Sequence, residues 1–143
     1  MVILQKATKE DIDIFYDWQK NPLTRKYFIN NSIPNYTEHC RWMENTLKSK
    51  DILMYTINYG NRKVGSIRLN INVNKALVSV LLSPNEYGKG FAFEGLKAVL
   101  ELHKEFEFEA FIRIENKASQ NLFMKCGFIQ IEETKYIKKA KSE

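Results

Sequence analysis

Cysteine, histidine and proline are scarce in this 143-residue chain, which has two, two and three of them respectively. Cys40 and Cys126 lie far apart, and with His39 and His103 they form neither a C-x-x-C pair nor a ligand array. A structural metal site and a disulfide framework are therefore not expected, and a reduced, cytoplasmic protein is the simplest fit. No apolar run approaches the ~18 residues of a membrane span, and Met1–Lys6 lacks the uninterrupted apolar core of a signal peptide, so membrane insertion is not expected either. Repeats, low-complexity tracts and linkers are also missing. What remains, 143 residues with 44% apolar content, predicts one domain, residues 1–143, able to bury a core without covalent staples.

Acidic residues fall short of basic ones, 17 against 22, giving a formal charge of +5. A basic surface attracts nucleic acid, acidic lipid or phosphorylated small molecules, and charge alone does not choose among them. An RNP-like aromatic motif, a zinc pattern and a helix-turn-helix are all lacking, which argues against a nucleic-acid partner. A phosphate-rich cofactor and an anionic substrate account for the charge. A solvated tail accounts still better for Lys135, Lys138, Lys139 and Lys141. The sequence allows a homodimer without specifying one.

The order of elements reads as mixed α and β. Val2 to Ala7 is short and apolar, and Thr8 with Asp11 three residues later predicts a helix start running through Trp18. Asn21-Pro22 ends it. Leu23 to Tyr36 loses periodicity and reads as a loop or broken helix carrying Arg25, Tyr27, Phe28 and Ile33. Thr37 is the expected N-cap of a second helix with His39, Trp42, Met43 and Leu47 along one side. Three extended segments follow, Ile52 to Tyr59, Lys63 to Val73 and Ala76 to Leu82, joined at Gly60-Asn61 and Asn74-Lys75 as antiparallel hairpins. A helix from Gly88 to about Lys104, a parallel strand from Ala110 to Glu115, a short helix from Ala118 to Cys126 ending at Gly127, and a hairpin of Phe128 to Ile131 with Lys135 to Lys139 complete the order.

The informative stretch is Ser-Pro-Asn-Glu-Tyr-Gly-Lys-Gly-Phe-Ala, residues 83–92, where a strand enters a glycine turn that opens a helix. Unpaired amides and the positive end of the helix dipole favour an anion there, and Gly88 and Gly90 remove side chains that would keep a phosphate oxygen away. Lys89 adds positive charge. Taken alone, two glycines can equally serve a tight turn with Lys89 solvated. The stretch is not a P-loop, which needs Gly-x-x-x-x-Gly-Lys-Ser/Thr.

Tyr87-Gly-Lys-Gly-Phe-Ala92, followed by Asn116-Lys-Ala-Ser-Gln-Asn-Leu-Phe-Met-Lys-Cys-Gly-Phe128, resembles the paired motifs of the GNAT superfamily of acetyl-CoA-dependent N-acetyltransferases. The resemblance implies a mixed, mostly antiparallel sheet of six or seven strands with a splayed parallel pair and about four helices. It further implies acetyl-CoA as donor. The pantetheine arm would lie against the backbone of Leu81 and Leu82, and the pyrophosphate over the amides of Tyr87, Gly88, Lys89, Gly90, Phe91 and Ala92. Asn116, Ser119 and Asn121 would face the cofactor, one of them also capping the helix. Phe123 replaces a tyrosine that many relatives use to protonate the departing thiolate, and phenylalanine has no proton to give.

The acceptor amine must be neutral to attack, and His39 and Glu38 are the candidate bases, early on the helix that in this fold borders the acceptor. An ordinary packed histidine is the competing reading of His39. Trp18-x-x-Asn21-Pro22, Arg25, Glu38-His39-x-x-Trp42-Met43 and Gly65-Ser-Ile-Arg68 resemble the acetyltransferases of UDP-linked amino sugars of the pseudaminic-acid type. By that resemblance Arg25 and Arg68 pair with a nucleotide diphosphate, and Trp42, Trp18 or Tyr27 stacks on a sugar or uracil face. Core packing remains the alternative for both tryptophans. The competing functions are acetylation of a protein amino terminus or small amine, and a silent acyl-CoA-binding module.

Overall fold

Tight turns organise the first half of the sheet. In the computed structural model, which describes residues 1–26 and 32–141, β1 (Ile3–Lys6), β2 (Ile52–Tyr59), β3 (Arg62–Asn72) and β4 (Lys75–Leu82) pair antiparallel in that order. Gly60 turns the β2–β3 corner in the left-handed region, at φ 61°, where glycine is at no disadvantage. The β3–β4 corner falls on Val73 and Asn74 rather than on Asn74-Lys75, and it forces Val73 to φ 59°, a conformation poorly suited to a β-branched residue. Strand β5 (Glu107–Phe111) joins β4 in parallel, and β7 (Lys135–Lys138) and β6 (Ile129–Gln130) follow, giving the seven-stranded order β1-β2-β3-β4-β5-β7-β6. β5 lies three residues earlier than its apolar pattern suggests. Alternation runs on through Ile112 and Ile114, but the ladder with β7 closes at Phe111, and Ile114 is exposed.

Each face of the sheet takes its own helices. On one face α4 (Phe91–Leu102) buries Phe91, Leu96, Val99 and Leu100 against Ile57, Val64, Ile67 and Leu69, and α5 (Lys117–Lys125) adds Phe123. His103 just beyond α4 meets the Tyr55 hydroxyl at 2.8 Å, tying the helix end to β2. On the other face α1 (Ile12–Lys20) and α3 (Tyr36–Lys48) enclose Ile12, Phe15, Trp18 and Met43 over Met54. Trp18 is therefore a core residue. A four-residue helix, α2 (Pro22–Arg25), capped by the Asn21 side chain, stands where a loop or broken helix was expected.

Two N-termini show how local sequence sets the elements. Thr8 and Asp11 form the expected capping box, and the buried Asp11 carboxylate also takes an ion pair from Lys63, fixing α1 to the sheet. For α3 the cap is Asn35, not Thr37: Asn35 accepts from the Glu38 amide at 2.8 Å while Glu38 accepts from the Asn35 amide at 3.3 Å. Asn-x-x-Glu satisfies two orphan amides where Thr37 would have satisfied one.

Replacing Val73 with asparagine should stabilise the protein by about 1 kcal/mol, because asparagine tolerates the left-handed conformation that valine resists. Urea denaturation checks this: the midpoint rises with the slope unchanged.

Candidate active site

The parallel partnership of β4 and β5 is short. It pairs Lys75 with Glu107, Ala76 with Phe108 and Leu77 with Glu109, and then stops, although β3 accompanies β4 to Leu82. The edge of β4 from Val78 to Leu82 thus has no strand paired to it on the β5 side among the described residues, and this splay is the candidate cleft. Leu82 packs into the α4-side core and Leu81 against the α1–α3 cluster, so the strand end is held from both sides. Gly65 of β3 completes the support, since a Cβ there would come within 2.6 Å of the Leu81 carbonyl oxygen.

Beyond Leu82 the chain makes a 3-10 turn, Pro84–Glu86, and then the loop that opens α4. Gly88 and Gly90 sit at φ 79° and 84°, and α4 starts at Phe91, with Gly90 as its N-cap, not at Gly88. No side chain caps this helix. Its first amides therefore have no side-chain cap, the condition under which such a turn can take an external acceptor, with Ala92 in the first turn and Tyr87 half-exposed beside it. The loop is pinned by a network not foreseen from sequence. Glu86, nearly buried, accepts from Lys89 Nζ and from Arg62 Nε, each at 2.8 Å. The bond to Lys89, then that to Arg62, holds its carboxyl below the ordinary value of 4.5. Arg62 lies over the Tyr59 ring, which in turn packs 4.9 Å from Phe91. Lys89 is thus a paired cation rather than a loose one. The only hint in the sequence was an acid inside an otherwise basic loop.

Across the cleft, Asn116 caps α5 by accepting from the Ser119 amide at 3.2 Å, and Asn121 is exposed one turn on. Phe123 is buried edge-on against Phe128, ring centroids 5.0 Å apart, so the position carries a packed hydrocarbon ring.

On the α1–α3 side the expected acceptor residues divide. His39 is 2% exposed, and its Nε2 donates to the Ile12 carbonyl at 2.9 Å, between the rings of Tyr16 and Trp42. Burial lowers its pKa below 6.5. Glu38 is exposed and engaged in the α3 cap. Arg25, 9% exposed, gives Nη1 to Gln19 at 3.0 Å and Nη2 to the Ser32 carbonyl at 2.6 Å, joining α2 to α1 and to the segment that precedes α3. Arg68 differs: its guanidinium lies 5.1 Å from the centroid of the half-exposed Trp42 ring, Nε donates to Asn70 at 3.1 Å, and it forms no ion pair among the described residues. Tyr27 and Phe28 lie outside the described residues.

This arrangement, a splayed parallel pair with an uncapped glycine turn at its mouth, has a counterpart in sequence: residues 1–129 match the acetyltransferase (GNAT) domain family. The chain belongs to that family. An uncharacterised protein of Methanocaldococcus jannaschii is 28% identical over 134 residues, 89% of this chain, which spans only 28% of that relative's length. A domain from Methanocaldococcus jannaschii superposes with a TM-score of 0.83 at 25% identity, over 96% of both chains. The spermidine N-acetyltransferase of Vibrio cholerae, solved with CoA and spermine, gives 0.84 at 15% identity over 95% of this chain and 91% of its own, a likeness of fold.

A protein base that took the proton of an acceptor amine would have to reach it, whereas the His39 Nε2 proton is committed to the Ile12 carbonyl, between two helices. Protonating His39 means charging a buried ring, so its stabilising contribution is complete above about pH 6.5 and falls away as pH drops through its lowered value. Unfolding free energy should decline between about pH 7 and pH 5 in the wild type and decline less in His39→Gln, as followed by denaturation at each pH. The pH profile of turnover should be the same in both. An inflection near neutrality that disappears with His39→Gln would restore His39 as the base.

Proposed function

We propose that this GNAT acetyltransferase transfers the acetyl group of acetyl-CoA to the primary amine of a nucleotide-linked amino sugar, a UDP-linked one in the first instance. Arg68 carries the acceptor reading. A half-buried guanidinium over an indole, with a neutral amide as its hydrogen-bond partner, is a desolvated cation that gains from an anionic ligand. Its pKa is lowered by burial alone. Trp42 beside it offers a flat face to a sugar or uracil ring.

The donor side rests on the cleft and the loop. When bound, acetyl-CoA supplies a thioester carbonyl carbon that a neutral amine can attack directly, with the CoA thiolate as leaving group. The free edge at Leu81 and Leu82 would orient the pantetheine arm, the amides from Tyr87 to Ala92 would hold the pyrophosphate, and Asn116, Ser119 and Asn121 would border the cofactor on the α5 side. Orientation of this kind can lower the barrier substantially without any acid or base on the protein. That matters here, because Phe123 cannot donate a proton, Glu38 is used in a cap and His39 is shut away. We read the amine's proton as leaving through water, with Arg25 holding the wall of the acceptor pocket rather than touching a phosphate. Trp42 and Arg68 then carry the recognition.

Two substitutions test the two halves. Gly90→Asp brings a carboxylate to the anion site and a strained backbone at φ 84°, and should weaken CoA binding at least about tenfold by calorimetry, with folding verified by circular dichroism. For the acceptor, thiol release from acetyl-CoA is measured with a UDP-amino sugar, the free amino sugar, spermidine and a peptide amine. The UDP-linked sugar should exceed the free sugar about tenfold or more in kcat/KM, and Arg68→Gln should erase most of that difference, the scale of one charge-assisted hydrogen bond. Equal use of both sugars, or preference for spermidine or peptide, overturns the acceptor reading and leaves acetyl transfer standing. Absence of turnover with every amine favours a silent acyl-CoA-binding module.

A further inference from the structure

One acid beside the cleft has no part in the acetyl-transfer reading. The register carries a single face across the sheet: Arg68 of β3 stands opposite Ser79 of β4, and Leu77, two residues back along β4, stands opposite Glu109 of β5. Glu109 and Phe111 in turn stand opposite Ile137 and Lys135 of β7. Phe108, Ala110 and Tyr136 alternate with these positions and are buried in the α4-side core, which leaves Glu109, Phe111 and Lys135 on the face that carries Arg68 under Trp42.

Leu77 and Glu109 are the last pair before β4 and β5 part, so Glu109 stands where the cleft begins. Phe111 follows it along the opening, 57% exposed, with Lys135 Nζ 6.0 Å from its ring centroid. Arg68 and Glu109 are separated by two strand spacings of ~4.8 Å and two residues of ~3.3 Å along the strand, about 12 Å between their backbones. Ser79 lies between them on the same face.

The two acids of β5 are held differently. Glu107, on the paired stretch, is shared by Lys75 at 3.8 Å and Lys139 at 3.9 Å. Glu109 meets only Lys135 among the described residues, Nζ to Oε2 at 3.2 Å, with the two side chains 26% and 20% exposed. A carboxylate has about four acceptor sites, so Lys135 fixes the group and leaves places for an added donor. Partial burial strengthens whatever charge-assisted bond forms there. Across the opening Arg68 has no acid paired with it among the described residues. Opposite charges on the two walls of one cleft fit a ligand with an anion at one end and an ammonium group at the other, and they disfavour a ligand that is cationic throughout, which Arg68 repels.

We propose that Glu109 recognises the ammonium group of the acceptor, holding it where β4 and β5 separate while Arg68 takes the phosphates. This rests on the nucleotide-linked amino sugar reading and adds the residue that selects the charged end. Glu109 binds the protonated form; the proton then leaves through water, and the neutral nitrogen is already placed beside the open edge of β4. The acetylated product is an amide with no charge at that atom. The same carboxylate that draws the substrate in therefore has no ion-pair partner in the product, and release is favoured.

The test is calorimetric binding, with CoA present, of a UDP-linked amino sugar and its N-acetylated counterpart to wild type, Glu109→Gln, Glu109→Asp, Arg68→Gln and, as a control on the same strand, Glu107→Gln. Circular dichroism verifies folding. Wild type should hold the amine about tenfold or more tighter than the amide, the magnitude of one charge-assisted contact. Glu109→Gln should abolish that preference by weakening the amine alone, Glu109→Asp should keep part of it and Glu107→Gln all of it, whereas Arg68→Gln should weaken both ligands alike. No preference in wild type, an equal loss for both ligands in Glu109→Gln, or the same change in Glu107→Gln overturns the proposal. Where Glu109→Gln does not fold, an undiminished preference in Glu109→Asp does so. The free amino sugar and its N-acetylated form are measured in parallel: a Glu109-dependent preference in that pair, with no gain from the nucleotide and no effect of Arg68→Gln, overturns the nucleotide-sugar reading and leaves Glu109 standing. Binding of neither pair by the folded wild type overturns both.

Discussion

The site depends on an inequality in how β4 is held. β3 pairs with it along its whole length, whereas β5 accompanies it for three residues and then departs. A sheet that leaves an edge open in its interior invites whatever can hydrogen-bond to it, and proteins ordinarily cover such edges. Here the opening is kept by packing: Leu82 is anchored in one core, Leu81 in the other, and the missing side chain of Gly65 lets the β3 backbone lie close beneath the Leu81 carbonyl. The cleft is thus as rigid as the two cores on either side of it. A rigid edge is what positional catalysis needs, since a misplacement of about 1 Å can cost two orders of magnitude in rate.

Electrostatics complement that geometry in layers. At the mouth of the cleft, the two left-handed glycines expose amides while Glu86 holds Lys89 and Arg62 in fixed places, so that the loop keeps its shape before any anion arrives. Farther along that face, Lys97 of α4, Lys125 of α5 and Lys138 of β7 form no ion pair among the described residues, and on the opposite face of the sheet neither does Arg68. The overall excess of +5 is therefore neither uniform nor confined to the terminal lysines. Lys135, Lys139 and Lys141, which a solvated tail would have explained, pair with Glu109, Glu107 and Glu101.

Features with local causes were legible in the sequence. Gly60, the Thr8–Asp11 box and Gly127 each act on residues within a turn of themselves, and each stands where its pattern places it. The GNAT order of elements followed from these, together with the two motifs. What escaped was set by distance or by degeneracy. Nothing near Glu86 in sequence announces Arg62, 24 residues away, and nothing near His39 announces the Ile12 carbonyl, 27 residues away. β5 was displaced because its alternation continues past the point where the partner strand ends. The α3 cap, by contrast, is readable: Asn35-x-x-Glu38 is a complete capping box, and Thr37 competes with it only through its own cap propensity.

The acceptor face shows why candidate residues chosen by type alone divide so sharply once placed. His39 and Arg25 have the right chemistry, but each spends its hydrogen bonds joining one helix to another, so either can reach a ligand only by giving up that connection. A group held in this way loses about 0.5–1.5 kcal/mol for each neutral hydrogen bond it breaks, and more if a buried partner is stranded. Arg68 carries no such burden. It is anchored by a single bond to Asn70 and by the Trp42 face, which leaves both terminal nitrogens without a protein partner among the described residues, on a side chain only partly withdrawn from water. Of the cations foreseen on this side, it is the one for which binding an anion would relieve a cost the fold already bears.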